Sequence, residues 1–314
     1  MTRTVAAAVD VGAVSVHLLV AAAEDGVLEP LDDESVLLGL GAVVDRHGVI
    51  PAPALDELVA TLVRYATLAR DLGAREIVFL GTAPMRGAAN AARVVTAVGS
   101  ATDVPLHVLD HAEEGRLTLL GVTAGAALGR EILVVDIGGG SCQLVFAGPG
   151  APVRAFGLPV GSSSLSRRVG VDDPPRAAQI EALRAEARRV VAACPDDEPG
   201  EIVVVGGTAS NLVKVIPEAA VDRILTPERL AGACATLAAA PAEEIAPRFA
   251  ISPTRARILS AGAALLEAIL ARYGADRATA REESLREGAV FALARAGRAW
   301  RDHLDRLAHG LNGA

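Results

Sequence analysis

One strand–aspartate–glycine–strand unit occurs twice in the chain, and the two copies align without a gap. Val9, Asp10, Gly12, Ser15, Leu18 and Ala21 recur as Val135, Asp136, Gly138, Ser141, Leu144 and Ala147. Each copy reads as an apolar strand ending at an aspartate, a turn of small residues, and an apolar strand that returns. A unit of this size, repeated, points to a duplicated architecture. It also supplies two carboxylates and two loops rich in backbone N–H, which together suit a metal ion held between phosphates.

At 314 residues the chain is long enough for two domains with substantial cores. Aromatics make up only 3%, so those cores are expected to consist of Ala, Val, Leu and Ile. Cys142, Cys194 and Cys234 have neither metal-ligand nor redox spacing, and so sparse a set suggests a reducing compartment. The alanine-rich start is interrupted by Asp10, which belongs to the repeat, so it reads as a fold element and not a signal peptide. No stretch offers about 20 uninterrupted apolar residues, so no membrane contact is expected and the cytoplasm is the expected location. A net charge of −8 argues against nucleic-acid binding. It leaves room for an anionic ligand in a cleft with its own arginines.

Leu55, Leu58, Val59, Leu62, Ala66 and Ala69 keep helical spacing up to Gly73, which is placed to end the helix. Residues 77–80 then read as a strand, 81–87 as a loop holding Pro84 and Arg86, 88–98 as a helix, 106–109 as a strand and 112–122 as a helix. This alternation implies an α/β domain. After the second copy, 153–156 reads as a strand, 176–191 as a helix, and 202–205 as a strand entering Gly206-Gly207-Thr208. Ser252 and Pro253 start a helix that runs to about Tyr273, and 284–308 reads as one long final helix. The expected domains are 1–125 and 126–314, with the last helix able to pack back on the first.

The duplicated Asp-x-Gly hairpins resemble the actin/sugar-kinase/Hsp70-type superfold. That resemblance implies an α/β fold of two ribonuclease-H-like lobes flanking a cleft. Five blocks narrow it: Thr82 to Asn90 (TAPMRGAAN), Glu113 to Leu117 (EEGRL), Val135 to Leu144 (VDIGGGSCQL), Gly206-Gly207-Thr208, and Leu285-Arg286-Glu287-Gly288. In this order they resemble the signature blocks of the exopolyphosphatase / guanosine pentaphosphate phosphohydrolase (Ppx/GppA) family, from one end of the chain to the other. The resemblance implies a cytoplasmic Mg²⁺- or Mn²⁺-dependent phosphoanhydride hydrolase, with polyphosphate or guanosine pentaphosphate or tetraphosphate as ligand and a homodimer as its assembly.

Asp10 and Asp136 end their strands beside glycine turns. Aspartates also cap hairpins, but one or two carboxylates with phosphates and water are what Mg²⁺ uses, and the resemblance makes these two the metal residues. Gly12, Ser15, Gly138, Gly139, Gly140 and Ser141 form turns in which backbone N–H groups can cradle phosphate. Gly207 and Thr208 resemble the second-lobe turn that contacts ligand. Glu114 aligns with the family's catalytic glutamate, which orients and deprotonates water; Glu113 beside it reads as a first-turn helix acid, though the pair is open to misassignment by one. Arg86 matches an arginine whose guanidinium clamps phosphate oxygens, Asn90 is read as fixing that loop, and Arg116 is divided between a ligand role and a solvated one. Most of the histidines are expected in surface or structural roles.

Three departures from the family pattern involve four positions. Ala13 and Val14 stand where Thr or Ser followed by Asn is usual, Gln143 replaces a supporting glutamate, and Arg257 replaces an aspartate. Glutamine keeps hydrogen-bonding reach but offers no negative charge to a cation. These departures motivate an alternative on the same fold, a catalytically weakened sensor that binds polyphosphate or an alarmone. A kinase-like phosphotransferase is the second rival, and the EEGRL block argues against it.

Overall fold

The computed structural model describes residues 3–310. They pack as two units. The first runs through Gly129 and takes in Ala147–Ala155 and the chain from Glu283 onward; the second holds Arg130–Phe146 and Phe156–Glu282. Where the sequence suggested one crossing after residue 125, the chain passes between the units repeatedly, and its last helices belong to the first.

The first unit is built on β1 (Thr4–Val11), β2 (Val16–Glu24), β3 (Val27–Val36), β4 (Glu76–Gly81) and β5 (Leu106–Val108), in the order β3-β2-β1-β4-β5. β1, β2 and β3 form an antiparallel meander, and β4 and β5 continue the sheet parallel to β1. β1 is central and covered on both faces, which suits its unbroken small apolar run. Ala7, Val9 and Val11 point into one core with Leu58, Leu62 and Tyr65 of helix Ala52–Asp71. Ala6 and Ala8 point into the other, with Leu117, Leu120, Val290 and Phe291. Since strand side chains alternate, Asp10 shares the face of Ala6 and Ala8. β3, which the pattern did not reveal, is an acidic edge strand carrying Pro30 next to a register shift. Edges accept such residues, and charge discourages pairing with other chains.

On that second face, helices His111–Thr123 and Leu285–Ala296 approach through glycines. A Cβ on Gly288 would sit 1.8 Å from the Leu117 carbonyl oxygen, and one on Gly121 would sit 2.0 Å from that of Ser284. The final helix expected over 284–308 ends at Ala296. Gly297 takes φ 55, and a short 3-10 turn, Gly297–Ala299, and a helix, Leu304–Ala308, follow. The 81–87 loop also differs from expectation: Ala83–Gly87 is a short helix with proline in its first turn.

The second sheet, which belongs to the second unit except for Ala147, Arg154 and Ala155, consists of β6 (Ile132–Ile137), β7 (Cys142–Ala147), β8 (Arg154–Leu158), β9 (Glu201–Val205), β10 (Ile224–Leu225) and β11 (Ala278–Ala280). Their order, β8-β7-β6-β9-β11-β10, repeats the neighbours of the first sheet and adds one antiparallel edge strand. β9 runs parallel to β6 and β11 parallel to β9. The repeat in the sequence is therefore a repeat of topology. Its core is Leu, Val, Ile and Ala from the sheet and from helices Ala177–Val191, Gly206–Val215, Pro227–Leu237 and Pro253–Arg272. Among the described residues, no helix is long and apolar enough to cross a membrane.

Candidate functional site

In the first unit, Asp10 sits at the end of β1 and the turn after it closes through a hydrogen bond from Gly12 N–H to the Ser15 carbonyl, 3.1 Å. A Cβ on Gly12 would lie 3.0 Å from that same oxygen, a tight fit against backbone. Ser15 Oγ lies 2.6 Å from His17 Nε2, and the β1–β2 register sets His17 opposite Asp10. Ala13 and Val14 are buried beneath the entry to helix Leu40–His47, and their carbonyls accept from Gly41 and Gly39 N–H. A Cβ on Gly41 would come 2.8 Å from the Ala13 Cβ, which accounts for glycine at 41.

Arg86 and Glu114 meet directly. The short helix after β4 aims Arg86 Nη1 at Glu114 Oε2, 2.6 Å away, and at the Leu109 carbonyl, 2.9 Å away. Glu114 is only 6% exposed, so this is a charge-assisted contact in a largely dry setting. Thr82 Oγ1 bonds the Val11 carbonyl at 3.2 Å and approaches Asp10 Oδ1 at 3.5 Å, tying β4 to the end of β1. Glu113 takes another course. It completes a capping box with Asp110 and pairs with Arg301, so the two adjacent acids have different partners. Asn90 holds Ile50 through both its amide atoms, the loop-fixing role expected of it. Arg116 pairs with Asp305. His111, at the head of the Glu114 helix, is pushed below the usual histidine range by burial, with the Arg86 charge adding to the effect.

The second unit repeats the turn. Gly138 N–H bonds the Ser141 carbonyl at 3.0 Å, matching Gly12 and Ser15. The first residues of helix Ser162–Val169 close over it: Ser162 N–H bonds the Gly138 carbonyl, and Ser163 and Ser164 N–H bond that of Gly139, all at 2.9–3.0 Å. A Cβ on Gly161 would lie 2.4 Å from Gly138 O, so this closure also depends on glycine. The Gly138 and Gly139 carbonyls are thus engaged by the protein, as is the Gly138 N–H. Gln143 is buried and its Nε2 donates to Ser141 Oγ at 3.0 Å, which directs the Ser141 hydroxyl hydrogen elsewhere.

Asp136, at the end of β6, is 8% exposed. Gly206 adopts φ +83 beside it, and a Cβ there would fall 2.3 Å from Asp136 Oδ1. Gly207 lies under the Arg255 guanidinium, where a Cβ would meet Nη1 at 2.6 Å. Thr208 turns its side chain toward helix Pro253–Arg272, its methyl 2.4 Å from the Cβ that Gly262 lacks, so it contributes packing and backbone to this turn. Arg257 pairs with Asp173 and Glu243, away from these residues. Thr82 and Gly206 entered the sequence reading only as members of their motif blocks, and His17 and Arg255 were given no site role. His17 was open to discovery, because a hairpin register places it across from Asp10; the other three depend on tertiary packing.

Among the described residues, no group of three or more His, Cys, Asp or Glu side chains gathers to hold a metal. Asp10 and Asp136 are each a hard oxygen donor at a strand end. With so few carboxylates at hand, a cation here would need substrate oxygens and water to complete its shell rather than an all-protein cage.

Two sheets of repeated topology, each ending a central strand in Asp-x-Gly, define a protein of the actin-like α/β class. Residues 19–296 match the profile of the Ppx/GppA phosphatase family, and the chain belongs to that family. It is similar to exopolyphosphatase 1 of Mycobacterium leprae, 31% identical over 90% of this chain and 87% of the relative. The exopolyphosphatase 1 of Mycobacterium tuberculosis (strain H37Rv) is also 31% identical, over 90% and 86%. Among solved structures it is similar to the Aquifex aeolicus Ppx/GppA family member, at 26% identity and TM-score 0.77, covering 94% of this chain and 99% of that one. An exopolyphosphatase from Cytophaga hutchinsonii shares the fold at TM-score 0.82 and 20% identity, over 93% and 98%.

Proposed function

We propose that this phosphatase cleaves terminal phosphoanhydride bonds, releasing orthophosphate from inorganic polyphosphate or the 5′ γ-phosphate of guanosine pentaphosphate. The observation that carries the reading is the buried Glu114 carboxylate held by Arg86. Glu114 acts as the base: it orients a water in line with the terminal phosphorus and accepts its proton as the P–O bond forms. Arg86 faces the same place and neutralises charge that grows on the phosphoryl oxygens as the leaving phosphate departs. The Gly12–Ser15 and Gly138–Ser141 turns hold non-reacting phosphates through backbone N–H and serine hydroxyls. Asp10 and Asp136 are the residues suited to hold Mg²⁺ or Mn²⁺, which when bound would neutralise phosphate charge. The names of the mycobacterial relatives make linear polyphosphate the first substrate to try.

Phosphate release is measured from long-chain polyphosphate and from guanosine pentaphosphate with Mg²⁺ or Mn²⁺. Glu114→Gln, which keeps volume and hydrogen bonding but not basicity, is expected to lower kcat by about 10²–10⁴. Folded wild-type protein that releases no phosphate from either compound, or a Glu114→Gln variant as fast as wild type, overturns the proposal.

A further inference from the structure

We propose that Arg301 is a positioning residue for this reaction: it neutralises Glu113 and braces the turn from which Glu114 meets Arg86. The inference rests on Glu114 being the base. Successive helical residues point about 100° apart, so neighbouring acids do not share one partner. The structure gives each its own arginine, from a different part of the chain. Arg86 arrives from the helix after β4, Arg301 from the segment after helix Leu285–Ala296. Each also binds one of two consecutive carbonyls where β5 leads into the Glu114 helix. Arg86 takes that of Leu109 at 2.9 Å and Arg301 that of Val108 at 3.3 Å.

The contact to Glu113 is two-pronged, through Arg301 Nε to Oε1 and Nη2 to Oε2, the latter at 2.7 Å. A planar fork of this kind sets orientation as well as charge. Glu113 Oε2 in turn receives Asp110 N–H at 3.0 Å, and Asp110 Oδ1 receives Glu113 N–H at 2.8 Å. The fork therefore steadies the turn from which Glu114 projects. Its neighbours fix it in place. Trp300 is 2% exposed and meets His107 of β5 edge-on at 5.6 Å. Asp305 pairs with Arg116 one turn along the helix, and Arg295 Nη2 bonds the Ala124 carbonyl at its far end, 2.6 Å. A partly exposed pair such as Arg301–Glu113 adds little to stability. Its effect is on charge and aim: without Arg301, an uncompensated carboxylate stands one residue from the base, and the turn that carries both loses an anchor.

The experiment compares kcat and KM for phosphate release by Arg301→Ala, Arg301→Lys, Glu113→Gln and the double variant Arg301→Ala/Glu113→Gln, with thermal unfolding of each. Arg301→Ala is expected to lose about tenfold or more in kcat with KM within about twofold, as misaligned catalytic groups do. Arg301→Lys, with the charge but not the fork, recovers part. Glu113→Gln keeps the acceptor for Asp110 N–H and leaves no uncompensated charge, so it loses less than Arg301→Ala. The double variant regains most of the lost rate, because the uncompensated charge beside the base is gone; a purely structural brace would give no such rescue. An unchanged kcat in Arg301→Ala, or a loss that persists undiminished in the folded double variant, overturns the proposal. Glu114→Gln in the same assay separates the two levels. If it is inactive while Arg301→Ala is normal, only the positioning role falls; if it is fully active, the base assignment falls.

Discussion

At Gly206 the backbone and a carboxylate compete for the same volume. The residue is at φ +83, which disfavours any side chain, and the missing Cβ would lie 2.3 Å from Asp136 Oδ1. Gly206→Ala therefore both strains the turn and displaces the carboxylate proposed to meet the cation. The expected result is a rise in the Mg²⁺ concentration needed for half-maximal phosphate release, larger than any change in substrate KM. An unaltered Mg²⁺ titration in a folded variant would show that Asp136 does not serve the metal. The second copy of the repeat made Asp136, Gly138 and Ser141 legible, because spacing alone carries them. Gly206 was legible only as part of a turn, since its collision with Asp136 arises from β9 lying beside β6. Glu113 and Glu114 show the same limit: two adjacent acids at a helix start look alike in sequence, and only their separate arginines tell them apart.

Helices that touch through glycine have no slack. Gly121 and Gly288 let helices His111–Thr123 and Leu285–Ala296 close to backbone contact, and a methyl group at 288 would meet the Leu117 carbonyl at 1.8 Å. Gly288→Ala is expected to cost about 1–3 kcal/mol or more, because backbone cannot rotate aside as a side chain does. Gly99, in helix Ala91–Thr102, meets nothing within 4 Å of its missing Cβ. There alanine should stabilise by about 0.5–1 kcal/mol through helix propensity. Denaturant titration of the two variants should move the midpoint in opposite directions; a neutral Gly288→Ala would refute the close-packing account. The long amphipathic helices and apolar strands were legible because periodicity records burial. β3 was not, since an acidic edge strand has one solvated side and little pattern to show. Nor was the break at Gly297, where a single positive φ ends a run whose composition would otherwise continue a helix.

The chain's return to its first unit concentrates acid sensitivity there. His107 and His111 both lie in that unit, and both are pushed below the ordinary histidine range, first by burial and then by Arg301 and Arg86 respectively. Their folded forms are neutral where the unfolded chain, near pH 6.5, begins to take up protons. The unfolded state then binds more protons, so stability falls as pH drops below about 6.5, down to the depressed folded values. In the second unit, Glu186 and Asp222 are lowered instead, chiefly by hydrogen bonds from Arg189 and Arg229. Their contribution is lost only as pH falls below the ordinary carboxylate range, about 4. Trp300, the single tryptophan, is buried in the first unit against His107 and reports that unit's unfolding. Between about pH 7 and pH 5, the urea midpoint seen by tryptophan emission should fall, and His111→Gln should flatten that fall. A midpoint constant across this range, or the same fall in His111→Gln and His107→Gln, would show that neither histidine couples folding of the first unit to pH.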